Sequence, residues 1–106
     1  MEHCIFCKII RKEIPTEIVF ENDDVLVFPD LHPRAPVHLL IIPKMHVEEF
    51  VKVEESELFK KVFDVVSLMI KKQGLEKDRY KITINGGGLQ EVDHLHIHLY
   101  GKVASL

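Results

Sequence analysis

The sequence predicts an α+β domain: an antiparallel β-sheet of about five strands with one long helix and a short N-terminal helix. Two groups of short apolar and β-branched runs flank a single long segment of helical period, and strands gathered on either side of one helix, instead of alternating with helices, point to antiparallel pairing. The chain of 106 residues has the length of one domain, 1–106, long enough to bury roughly two thirds of the surface its unfolded form exposes.

The elements follow in order. Ile5, Phe6, Ile9 and Ile10 recur at helical spacing, which gives one or two turns ending before Pro15. Glu17 to Phe20 and Val25 to Phe28 are β-branched and aromatic, and Glu21-Asn22-Asp23-Asp24 joins them with a linker of hairpin length. Three prolines between Pro29 and Pro36 remove backbone donors and make a loop; Val37 to Ile42 then reads as a buried strand closed by Pro43. Leu58, Phe59, Val62, Phe63, Val66, Met69 and Ile70 form the stripe of the long helix, with Lys60, Lys61, Asp64, Lys71 and Lys72 mostly off it. Ser56 or the acidic pair before it caps this helix, and Gly74 ends it. Tyr80 to Asn85, with Tyr80, Ile82 and Ile84 on one face, and His94 to Tyr100 complete the sheet, separated by Gly86-Gly87-Gly88.

Composition narrows the function classes. With 46% hydrophobic and 29% charged residues, the chain is neither disordered nor fibrous. A net charge of -3 supplies no basic field, so long nucleic acid is not an expected partner, while a small phosphorylated ligand is compatible. Leu39 to Pro43 is far too short to span a bilayer, and Met1 to Arg11 holds no signal-length apolar run, so no membrane association and a cytoplasmic location are expected. Cys4 and Cys7 are the only cysteines. At this spacing, in a reducing compartment, they suit a metal site or a redox motif better than a disulfide, and they are half of a tetrahedral zinc site.

The chemistry concentrates in His94-Leu95-His96-Ile97-His98-Leu99. On a strand, His94, His96, His98 and Tyr100 share one face, while Leu95, Ile97 and Leu99 share the other and pack on the helix stripe. A solvent-exposed polar face is the plain alternative. Three imidazoles in a row can ligate a catalytic metal with an open position, or one can attack phosphorus while its neighbour donates to a phosphate oxygen or leaving group. Asn85-Gly86-Gly87-Gly88-Leu89-Gln90 lies just upstream and offers backbone donors and two amides, as a phosphate requires, although a glycine run is also a common turn. With no further carboxylate cluster for a catalytic metal, phosphoryl chemistry is favoured.

These residues resemble the histidine triad (HIT) family, whose motif is three histidines alternating with hydrophobic residues. The resemblance covers nearly the whole chain: Cys4-Ile5-Phe6-Cys7-Lys8-Ile9-Ile10, Ile14-Pro15, Phe28-Pro29-Asp30, Ala35-Pro36-Val37-His38, Ile42-Pro43-Lys44-Met45-His46, Asn85 and Gln90 fall in the family's order, most similar to its nucleoside phosphoramidate and dinucleotide hydrolase branch. It implies a HIT-like fold and hydrolysis of a nucleotide conjugate, a purine nucleoside phosphoramidate or dinucleoside polyphosphate, in two steps. The middle histidine, His96, attacks the α-phosphorus to give a nucleotidyl-histidine intermediate, and His98 assists at the phosphate, with no catalytic cofactor.

By the same resemblance Asp30 holds the ribose hydroxyls of an AMP- or GMP-like nucleotide. Ile5, Phe6, Phe28 and Leu31 line the base pocket, Asn85 and Gln90 contact phosphate, and His38 supports the triad from behind. On composition alone Phe6 and Phe28 are core residues and Asp30 is a turn residue. Some bacterial members bind structural zinc, which implies a Zn2+ site of Cys4, Cys7, His46 and His94. Members commonly pair as homodimers through the long helix and a sheet edge, where Phe59 or Phe63 would lie. His3 and His32 have no motif support and are read as surface residues.

The sequence departs from the family at Glu91, where better-known members carry Ser or Thr, and its glycine loop is shorter. A carboxylate near the scissile bond repels phosphate unless it is protonated, turned away or paired. Two other readings therefore stand beside the hydrolase: a weakly active nucleotide-binding or signalling module, and a metal-dependent hydrolase using the three histidines as ligands.

Overall fold

The computed structural model describes residues 3–104. In chain order the elements are α1 (Ile5–Ile10), β1 (Phe20–Glu21), β2 (Val25–Pro29), β3 (Val37–Pro43), α2 (Ser56–Lys72), β4 (Lys81–Ile84) and β5 (Ile97–Gly101), with a single 3-10 turn at Phe50–Lys52. The five strands form one sheet of order β1-β2-β3-β5-β4, every pair antiparallel, which is the α+β architecture expected from the sequence. Among the described residues no helix is long and apolar enough to cross a membrane.

The β1–β2 connection shows why its sequence turns. The Asn22 side-chain oxygen accepts from the backbone N–H groups of Asp24 at 2.9 Å and Val25 at 2.8 Å, which closes the hairpin locally. β1 is shorter and later than expected: Glu17 and Ile18 lie outside it, and Val19 adds one bond to Val27.

Alternation sorts β2, β3 and β5 into two faces. Val25, Val27, Leu39, Ile41, Ile97 and Leu99 point to one side and meet Leu58, Val62, Val65, Val66 and Met69 of α2. Leu26, Phe28, Leu40 and Ile42 point to the other and meet Phe6 and Ile9 of α1. The stripe of α2 is rotated from the expected one. Val65 is buried, whereas Phe63 is 41% exposed and stacks on Phe59, which in turn packs against Phe50. Positions 58, 62, 65 and 69 lie on one side of a 3.6-residue helix, and 59 and 63 lie about a third of a turn away. Neither expected side-chain cap forms: Glu55 occupies the cap position without a side-chain hydrogen bond.

The end of α2 follows its glycine. Gly74 takes φ +68, a conformation open to glycine at little cost, so that its N–H reaches the Lys71 carbonyl and Leu75 N–H reaches that of Ile70. Leu75, fully buried, then plugs the core below the helix.

β5 corrects the sequence reading most. It starts at Ile97, not His94, so His94, Leu95 and His96 lie outside the ladder. The register pairs Ile41 with Ile97, which would set Pro43 opposite Leu95 if the strand continued. Proline has no N–H to offer there. Leu95 N–H instead bonds the Val47 carbonyl at 2.6 Å, and the chain bends away from the sheet.

Candidate active site

The bend divides the three histidines, all of them buried: His94, His96 and His98 are 0%, 5% and 4% exposed, which excludes the solvent-exposed polar face. Each ring turns its Nδ1 to a different partner.

His96 Nδ1 donates to the His94 carbonyl at 2.8 Å. A neutral imidazole carries one ring proton, so this bond leaves Nε2 as a bare lone pair. The ring lies edge-on to Phe6, with centroids 5.2 Å apart, and lines a cavity of about 530 Å3 together with His98, Phe6, Phe28, Asp30 and Leu40. That volume falls within the roughly 300–1,000 Å3 of small-molecule sites.

His98 is oriented by a chain of bonds. Arg34 N–H donates to His38 Nδ1 at 3.1 Å, so the His38 proton sits on Nε2, which donates to His98 Nδ1 at 2.9 Å. The His98 proton is thereby driven to Nε2. That atom is buried and has no hydrogen-bond partner among the described residues. Burial, chiefly, pushes the His98 pKa down to about 4, with His96 and His38 adding to the effect and Asp30 and Glu91 opposing it; burial likewise lowers that of His38. Both rings are therefore neutral near pH 7, and His98 presents an N–H donor.

Asp30 is the turn residue that composition suggests, and it also lines the cavity. One oxygen accepts from His32 N–H at 2.8 Å and closes a turn; the other lies 3.5 Å from His38 Nε2 and 4.0 Å from His98 Nδ1. Phe6 and Phe28 are likewise both core and cavity wall. Ile5 and Leu31, 45% and 85% exposed, form its lip. Asn85 and Gln90 do not line it, and the Gln90 side chain is engaged with Gly88 N–H and Asp93. Glu91 does line it, and its Oε1 lies 3.5 Å from Arg34 Nη2, so the departure from the family pattern is a paired carboxylate.

His94 belongs to a second constellation. Its Nε2 donates to the Pro43 carbonyl at 2.8 Å, which leaves Nδ1 unprotonated and facing Cys4 Sγ at 3.4 Å, Cys7 Sγ at 3.6 Å and His46 Nδ1 at 3.2 Å. Cys7 Sγ lies 3.3 Å from His46 Nδ1. A tetrahedron of S and N ligands at about 2.0–2.3 Å from zinc has edges of about 3.3–3.8 Å, so these separations fit one. α1 supplies the cysteine pair: Cys4 is its N-cap and accepts from Cys7 N–H. Burial, then the Cys4 sulfur, push the Cys7 thiol up to about 11. A thiolate there needs a cation beside it. Among the described residues the ligand atoms of His94, His96 and His98 do not form one group; His94 clusters with the cysteines and His98 with Asp30 and His38.

Two supports escaped the sequence reading. The Tyr100 ring packs at 4.2 Å against His38 and 5.6 Å against His98, and its place two residues after His98 was the available signal. Glu49 accepts from Gly87 N–H at 3.0 Å and from Val51 N–H at 3.3 Å, tying the glycine loop to the 3-10 turn. A Cβ on Gly86 would come within 2.9 Å of this carboxylate, so the glycine run has a packing reason. Nothing local in the sequence signals that contact, because 38 residues separate the partners.

An imidazole with its Nε2 free beside a second imidazole presenting N–H, in the wall of a mostly apolar cavity, is equipment for nucleophilic substitution. Residues 3–105 match the family described as "Scavenger mRNA decapping enzyme C-term binding". Protein HitA of Neisseria gonorrhoeae is 45% identical over 105 residues, covering 95% of this chain and 97% of its own. The 14 kDa zinc-binding protein of Zea mays is 45% identical over 103 residues, 92% of this chain and 80% of its own. The purine nucleoside phosphoramidase of Escherichia coli K12 is 38% identical over 104 residues, 94% and 87% of the two chains. A HIT family hydrolase from Legionella pneumophila superposes with a TM-score of 0.87 at 42% identity, covering 93% of this chain and 92% of its own. A histidine triad protein from Clostridium difficile superposes at 0.92 with 36% identity, covering 100% and 95%. The chain belongs to the histidine triad family.

Proposed function

We propose that the protein hydrolyses nucleotide conjugates, purine nucleoside phosphoramidates in the first place, through a nucleotidyl intermediate on His96. The observation that carries this is the pair of opposed tautomers: His96 held by Nδ1 with Nε2 free, His98 held by Nδ1 with Nε2–H free, both lining one cavity. The name of the Escherichia coli relative supports the substrate class.

In the first step the His96 Nε2 lone pair forms a bond to the α-phosphorus. The bond from phosphorus to the leaving group breaks, and its electron pair leaves with that group; His98 Nε2–H hydrogen-bonds to the departing atom, and the proton that atom takes up comes from the water consumed in the second step. In the second step the oxygen of that water attacks the same phosphorus, and the N–P bond breaks with its pair returning to His96. His38 and Asp30 keep the His98 proton on the correct nitrogen throughout. Asp30 receives the ribose hydroxyls, and Ile5, Phe6, Phe28 and Leu31 enclose the base. Asn85 and Gln90 reach phosphate only if the glycine loop shifts when the nucleotide binds. The metal-dependent reading is not favoured, because the three rings point their Nδ1 atoms at separate partners.

We further propose that Cys4, Cys7, His46 and His94 hold a structural Zn2+, which joins α1 to the loop before β5 and so fixes the His94 carbonyl that orients His96. The pairing of copies into a homodimer is proposed on the apolar exposure of Phe50 and Phe63, which join through Phe59, and of Ile82 on the edge strand β4, and sedimentation tests it. Intact mass after a brief reaction with adenosine phosphoramidate tests the chemistry. A nucleotidyl mass increase located on His96 is expected; turnover that survives His96→Ala would overturn it.

A further inference from the structure

We infer that Glu91 makes this site selective for conjugates whose leaving group carries a positive charge, and against anionic leaving groups such as polyphosphates; this rests on the hydrolase reading above. The catalytic cavity does not end at its histidines. Ile5, Glu91 and Val92 line both it and a neighbouring cavity of about 410 Å3, so the two border each other at the Glu91 side chain. Glu48 and Asp93 also line the neighbour, beside His3, Cys4 and His46, and among the described residues no lysine or arginine does. A group leaving phosphorus in this direction therefore meets three carboxylates.

The donor points the same way. His98 Nε2–H is buried, unpartnered among the described residues, and lines the cavity whose wall includes Glu91. The Glu91 charge is close enough to oppose the lowering of the His98 pKa. Among the described residues Arg34 is the one cation paired with Glu91, but the pair is 3.5 Å long with side chains 69% and 66% exposed, and Arg34 lines neither cavity. Such an exposed pair is weak and does not tie the carboxylate down. When a P–N bond breaks here, its electron pair leaves with the nitrogen, which takes up one proton from water, with His98 Nε2–H hydrogen-bonded to it, and departs as a free amine. A second, ammonium-bearing end on that amine is attracted by the carboxylates, and a polyphosphate chain is repelled by them.

The test compares three adenosine phosphoramidates of similar leaving-group length, made from cadaverine (cationic end), hexylamine (neutral) and aminovalerate (anionic). In the wild type kcat/KM is expected to fall in that order, with about tenfold between the extremes at low salt, each charge step being worth about threefold, and less at high salt. Glu91→Gln narrows the span to about twofold, and Arg34→Ala widens it. Equal rates for the three conjugates, or a span that Glu91→Gln leaves intact, overturn the inference while leaving the hydrolase reading standing. No turnover of any of the three by the wild type overturns the hydrolase reading, and this inference with it.

Discussion

On the α2 side of the sheet, Val25, Val27, Leu39, Ile41, Ile97 and Leu99 meet a helix of 17 residues across an interface made of hydrocarbon. On the α1 side the same strands meet a helix of six residues, and His38 and His98 stand on β3 and β5 among Leu26, Phe28, Leu40 and Ile42. The first face gains from burial without polar groups to satisfy. The second buries imidazoles, each of which costs stability unless bonded, and it satisfies their ring nitrogens with a carbonyl, a backbone N–H or one another, leaving His96 Nε2 and His98 Nε2 for a ligand. One sheet thus separates the surface that holds the fold from the surface that does chemistry, and changes to the two should be separable in experiment.

The sharpest break between them is His96→Ala, expected to lower kcat by roughly 10^4-fold or more, as loss of a nucleophile does, while circular dichroism shows an intact fold. A comparable loss of folding stability would blur the division.

Next is the metal cluster, where both functions meet. Wild type purified with zinc should hold one ion per chain, and Cys4→Ser/Cys7→Ser none. With free zinc at about a thousand times Kd, binding contributes about 4 kcal/mol to folding, so the double variant or a chelator should lower Tm clearly. Stoichiometric zinc in the double variant would sink the site.

On the dry face, Met69→Ala removes a fully buried side chain from α2 and should cost about 3 kcal/mol in denaturant unfolding with kcat unchanged. A large drop in kcat would show that the faces are coupled.

The smallest effect is acid sensitivity on the histidine face. The His98 pKa is about 4 in the folded protein against about 6.5 unfolded, so the unfolded state binds more protons between these values. The stability this contributes is full above pH 6.5 and is lost as pH falls toward 4, on the order of 3 kcal/mol at most. His98→Gln should flatten the stability profile across that window, and an unchanged slope would assign acid sensitivity elsewhere.

Much of this was legible along the chain. α1 spans the expected Ile5–Ile10, β3 ends at Pro43, and Gly74 terminates α2, because helical spacing, a missing N–H and a positive φ are local properties. The four-residue Cys4, Cys7, His46, His94 set was legible only through family resemblance, since spacing alone supplied the two cysteines. The start of β5 was not legible, because it depends on Pro43 across the ladder. Nor was the face of α2: Phe59 and Phe63 fit a helical stripe as well as Val65 does, and only contact with the sheet selects among them.

What the sequence by itself determined is therefore the periodic elements, the fold class and the residue types gathered in His94-Leu95-His96-Ile97-His98, since these depend on spacing within a few residues. The tertiary structure decided what each histidine does. The three rings are two residues apart, yet their tautomers are set by the Pro43 carbonyl 51 residues away, by the His94 carbonyl after the chain leaves the ladder, and by His38 60 residues away on the adjacent strand. A proton's position on an imidazole is fixed by the partner its other nitrogen finds, and only folding supplies that partner.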